Sequence, residues 1–131
     1  MVKNFKKISL ILFCIYLVAV MLLCLIHTDS LPELPKNFLG IPLDKLTHFI
    51  MFCPFAVLGY SAFYPTEKTL LREMSVIGLL VFLGCFFALA TERLQAITSY
   101  RSYELQDIVA DTVGIASGAL ATVAYIVTRY K

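Results

Sequence analysis

The sequence is that of an all-α membrane protein, a four-helix transmembrane bundle with both termini cytoplasmic. Three observations lead there. Four apolar runs, residues 8–26, 46–64, 74–91 and 108–128, each approach the ~20 residues an α-helix needs to cross the hydrocarbon core. Lys and Arg concentrate on one side of the resulting topology. And 60% of the 131 residues are hydrophobic, with a mean hydropathy of +0.83, which leaves no room for a soluble domain. Runs of this length satisfy their backbone groups internally as helices, not as the shorter alternating strands of an outer-membrane barrel.

The first run follows Lys3, Lys6 and Lys7, as a secretory signal would. Its 19 uncharged residues exceed a typical signal core and no small-x-small cleavage site follows, so a retained helix is expected. The connection 27–45 contains Pro32, Pro35, Gly40 and Pro42, which break helical structure and let the segment lie over the bundle. After the second run, the short connection 65–73 makes an antiparallel hairpin with the third. The connection 93–106 is long enough for a short interfacial helix before the fourth run.

With the N-terminus inside, the inner side carries Lys3, Lys6, Lys7, Lys68, Arg72, Arg129 and Lys131, against Lys36, Lys45, Arg93 and Arg101 outside. Seven against four favours this orientation. The net charge of +2 is therefore a topology signal, and no nucleic-acid partner is expected. Tyr100 and Tyr103 suit the outer interface, Tyr64 and Tyr130 the inner one. Cys14, Cys24, Cys53 and Cys85 lie inside the spans without metal-ligand spacing, so neither a disulfide nor a zinc site is expected, and no cofactor motif is present.

Polar residues bordering the runs gather at the outer side. Asp111 lies inside the fourth run, where a carboxyl group is costly and needs a reason. Asp44 and His48, four apart at the start of the second run, share a helical face, so the carboxylate can fix the imidazole tautomer. The plainer reading makes Asp44 a helix cap and lets Lys45 snorkel to the headgroups. Glu92 continues the face of Gly84 and Ala88, with Gln95 three residues on; alternatively it pairs with Arg93 or is solvated. Asp107, Asp111, Gly114 and Gly118 share a face of the fourth run, where small residues admit a neighbouring backbone or mark a homodimer face, and Asp107 is also placed to be an N-cap. Arg101 supplies a cation for Glu92, Asp107 or an anionic headgroup. Pairing Arg101 and Lys45 with two acids leaves others unneutralised, unless one is protonated or a cation is bound, with Asp107 and Asp111 the candidate metal ligands.

Asp44, Lys45 and His48 opening a helix, then Glu92 and Gln95, then the stretch 101–114, RSYELQDIVADTVG, resemble the signature of VanZ-like membrane proteins. The resemblance covers about two thirds of the chain, from residue 43 onward, and implies a single VanZ-like membrane domain over residues 1–131. Position 111 in that family is usually Asn; Asp111 here favours a bound cation or an extra ion pair. The resemblance implies a bacterial cell-envelope protein, in a family named for a member linked to resistance to the glycopeptide antibiotic teicoplanin.

Three functional readings follow. In the favoured one, Asp44, Lys45, His48, Glu92, Gln95, Arg101, Asp107 and Asp111 form an outer-face pocket. It binds a lipid-linked or cell-wall headgroup, or helps an envelope protein partner that handles one, with membrane lipids as standing partners. Arg101 and Lys45 would meet phosphate or carboxylate, and the acids would accept from sugar and amine groups. In the second, His48 or Glu92 is a general acid or base acting on an envelope lipid. Against it, only His27 and His48 are present, and H-E-x-x-H, G-x-S-x-G and a paired-His pattern are lacking. In the third, the polar set is an ion-pair clasp, although intramembrane polar bonds average only ~0.6 kcal/mol. Four short helices leave little room for an alternating-access transporter.

Overall fold

A computed structural model describes residues 2–26, 37–98 and 103–131. Helix α1 (Val2–Leu25) is followed by a two-residue hairpin, β1 (Asn37–Phe38) against β2 (Ile41–Pro42). Then come α2 (Leu43–Phe52), α3 (Pro54–Ala62), α4 (Leu70–Thr98) and α5 (Leu105–Arg129). Leu39 and Gly40 turn the hairpin with φ of 52° and 82°, the left-handed pair that a tight two-residue turn between strands requires.

Helices α1, α4 and α5 are long and apolar enough to cross a membrane; the 25 residues of α5 alone reach about 37 Å. The second span departs from expectation, being two helices in series instead of one. Pro54 brings no N–H to the ladder, so the helix stops at Phe52 and restarts with Pro54 in its first turn, while Cys53 keeps helical dihedrals (φ −56°, ψ −42°). The chain thus continues as one broken rod over residues 43–62, and the fold is a four-helix membrane bundle.

The outer connections also differ from expectation. α4 runs to Thr98 and so takes Glu92, Arg93 and Gln95 into the third span, where a separate interfacial helix was expected beyond residue 92. Its buried stripe explains this: Ile77, Leu80, Gly84, Ala88, Thr91, Glu92 and Gln95 recur at helical spacing well past the last purely apolar residue. The prolines at 32 and 35, and Arg101, lie outside the described residues.

The arrangement is inside-out relative to a soluble bundle. Phe82, Phe86 and Leu120 are about two-thirds exposed, as suits contact with acyl chains, while Glu73, Asp107 and Asp111 are buried. The core packs Phe52, Phe55 and Phe87 with Leu80, Ile115 and Ile126. α1 adds a narrow stripe, Phe13 meeting the Phe55 ring edge-on at 5.4 Å, and the Tyr16 hydroxyl donates to the Met51 carbonyl at 2.6 Å beside the break in the second span. Tyr16→Phe is expected to lower stability by about 0.6 kcal/mol, readable as a small drop in detergent melting temperature.

Candidate functional site

The first turns of α2, the C-terminal end of α4 and the start of α5 bring their polar side chains together at one end of the bundle. α5 opens on Glu104, an extended residue at the N-cap whose side chain makes no capping bond. Its amide instead donates to Glu92 Oε1 at 2.9 Å, so α4 holds the entry of α5. Asp107, three residues on, is therefore not the cap; its carboxylate turns inward and is 1% exposed.

Lys45 sits among three carboxylates. Its ammonium hydrogen-bonds Glu104 and Asp107 and lies 3.2 Å from Asp44 Oδ2. An ammonium has three donors, so three acceptors use it up. Lys45 thus turns into the cluster instead of snorkelling to the headgroup level. Carboxylate oxygens of Asp44, Glu104 and Asp107 come within 4.8 Å of one another, a spacing compatible with a metal ion, but the Lys45 ammonium shares their space.

Asp111, with Asp107 a candidate metal ligand, holds the imidazole. His48 Nδ1 lies 2.8 Å from Asp111 Oδ1, and Nε2 lies 3.7 Å from Asp107 Oδ2. An ionised Asp111 only accepts, and in that state the proton lies on Nδ1. The imidazole is thus held from α5, across the bundle.

The approach of α5 to α2 rests on its glycines. A Cβ on Gly114 would lie 2.5 Å from the Phe49 carbonyl oxygen, and one on Gly118 2.0 Å from that of Cys53. Inside the bundle Gly114 faces the end of α2 and Gly118 the break between α2 and α3, and their missing side chains let His48 reach Asp111. Gln95 has a different role: its amide donates to the Cys24 carbonyl at 2.7 Å, satisfying an orphan acceptor at the end of α1. Arg93 turns away from Glu92 and stacks over the Tyr103 ring at 5.0 Å.

Among the described residues, acids outnumber bases here. Asp44, Glu92, Glu104, Asp107 and Asp111 meet Lys45 and His48, and Glu92 lies within Coulombic range of His48, Asp107 and Asp111. Among the described residues, Glu92 Oε2 and Asp111 Oδ2 are buried without a hydrogen-bond partner. The site can therefore accept donors from a ligand.

Sequence reasoning left Glu104 out of the site, although it precedes Asp107 by one helical turn. It also missed a second polar cluster at the other end. There Arg129 donates from Nη2 to Glu73 Oε2 at 2.7 Å and to the Tyr60 hydroxyl at 2.9 Å, and from Nη1 to the Tyr64 hydroxyl at 2.8 Å. Stepping back along α4 from Glu92 through Ala88, Gly84, Leu80 and Ile77 reaches Glu73, and that spacing is the signal that could have found it.

No curated protein and no solved structure matches the chain. A family does: residues 10–127 match VanZ/LLP1, nearly the whole length and including Asp44, Lys45, His48, Glu92, Gln95, Glu104, Asp107 and Asp111. The chain is a membrane protein belonging to the VanZ/LLP1 family.

Proposed function

We propose that the chain is a multi-pass protein of the bacterial cell membrane whose carboxylate-lined end faces outward and binds the amine-bearing headgroup of an envelope lipid or lipid-linked cell-wall precursor. The orientation rests on the topology read from the sequence, which puts seven basic residues on the inner side against four on the outer. The observation that carries the ligand class is the pair of buried, unpartnered oxygens, Glu92 Oε2 and Asp111 Oδ2, beside an ammonium already saturated by other acids. Among the described residues, five carboxyl groups gather around one ammonium and one imidazole, which makes a cationic group the better guest. A primary amine brings three donors and a positive charge, which matches acceptors left without donors. Handling such a headgroup is consistent with the link to teicoplanin resistance carried by the family name.

Glu92→Gln keeps the shape of the side chain and removes its charge. Native mass spectrometry of the detergent-purified protein is expected to show retention of phosphatidylethanolamine over phosphatidylcholine, and about a tenfold loss of that preference in Glu92→Gln with little change in melting. The triple coordination of Lys45 supports a second reading, in which the cluster only ties α2 to α5. That reading takes over if neither phosphatidylethanolamine nor any lipid of an envelope extract is retained above background while Glu92→Gln lowers melting.

A further inference from the structure

At the end of the bundle remote from the carboxylates, α1, α3 and α5 leave a groove of about 710 Å³ bordered by Lys6, Val57, Tyr60, Tyr64, Thr122 and Tyr125. Its walls ask little of a polar guest. The Ser61 and Thr122 hydroxyls donate to carbonyls of their own helices, Val57 at 3.0 Å and Gly118 at 2.8 Å. Its mouth is cationic. Lys6 lines it, Lys68 Nζ stands 5.3 Å from the centre of the Tyr64 ring, and Arg129 lies 5.7 Å from Tyr64 and 5.1 Å from Tyr125. The two acids of this end each face a cation, Glu73 through Oε2 to Arg129 at 2.7 Å and Glu67 to Arg72 at 2.8 Å, while Glu73 Oε1 is buried without a hydrogen-bond partner among the described residues. Tyr64 accepts from Arg129 through its oxygen, which leaves its hydrogen to donate outward.

We propose that this groove binds one anionic phospholipid. The phosphate sits at the mouth between Lys6, Lys68 and the Tyr64 hydroxyl, and an acyl chain lies along Val57, Ala121 and Tyr125. The apolar rim argues for a lipid over a soluble anion: Phe5, Val57 and Tyr125 are 59%, 43% and 59% exposed, so the groove opens sideways onto the surface that acyl chains cover. Two lysines on flexible stems reach the headgroup level while their methylenes stay against apolar surface. The volume lies within the ~300–1,000 Å³ of ordinary ligand sites.

The test uses the full chain in neutral detergent, titrated with phosphatidylglycerol and with phosphatidylcholine and followed by native mass spectrometry. One phosphatidylglycerol is expected to bind at least about fivefold more tightly than phosphatidylcholine, and Lys6→Gln with Lys68→Gln is expected to weaken it about 25-fold, near fivefold per lysine. Ser61→Leu, which fills the groove, is expected to weaken both lipids while leaving the lysines in place. Equal retention of the two lipids, or phosphatidylglycerol binding indifferent to the double lysine change, overturns the proposal. So does saturation by soluble glycerol phosphate at the concentrations where phosphatidylglycerol saturates, which assigns the mouth to a free anion. Glu92→Gln, at the other end, is expected to leave this binding unchanged.

Discussion

Lys45→Met is expected to destabilise the protein by about 3–5 kcal/mol, the usual cost of removing one partner from a buried ion pair. Methionine keeps the length and apolar stem of lysine, so the loss reads the charge and not the packing. What remains is Asp107, 1% exposed, with Glu104 and Asp44 beside it, three carboxylates that had one ammonium among them. Adding Asp107→Asn and Glu104→Gln to Lys45→Met is expected to recover most of the loss, because neutral amides need no counter-charge. Detergent melting and the amount of protein in the membrane measure both effects. A single variant that melts like the parent would refute this account of the cluster.

Gly118→Ala is the second large effect. Its new Cβ would sit 2.0 Å from the Cys53 carbonyl oxygen, and a backbone oxygen cannot swing aside as the tip of a side chain can. Overpacking of this kind costs about 1–3 kcal/mol. Relief comes by moving α2 off α5, which carries His48 away from Asp111. Melting and retention of an amine headgroup are therefore expected to fall together. Gly78→Ala is the control, since a Cβ there meets nothing within 4 Å; it is expected to be neutral or to stabilise by up to about 1 kcal/mol through helix propensity. If the two alanines behave alike, close approach at Gly118 is not what positions α2.

The spans were legible in the sequence because a bilayer imposes one simple demand, about 20 apolar residues in helical form. What that demand ignores was not read. Counting apolar residues gives Pro54 no weight, yet its missing N–H divides the second span. Glu92 and Arg93 ended the count for the third span, although a buried face carries the helix on through Gln95. The members of the site could be found because charges are few at the edges of such runs. Their partners could not, since pairing across helices depends on each helix's rotation and depth. Lys45 points inward, the imidazole of His48 is held by a residue 63 positions away, and Gln95 caps a different helix altogether. Glu73 was read as part of a connection, so its bond to Arg129 was invisible until α4 was seen to start at Leu70.

The interruption at Pro54 divides the mechanical duties of one chain segment. α2 leans chiefly on α5, whereas α3 is gripped by α1, α4 and α5. Repacking around Phe55 or Tyr60 therefore acts first on α1, α4 and α5, while the placement of His48 answers chiefly to α5. A substitution in α3, five of whose nine residues are buried, is thus felt by three helices at once, whereas one in α2 is felt chiefly by α5.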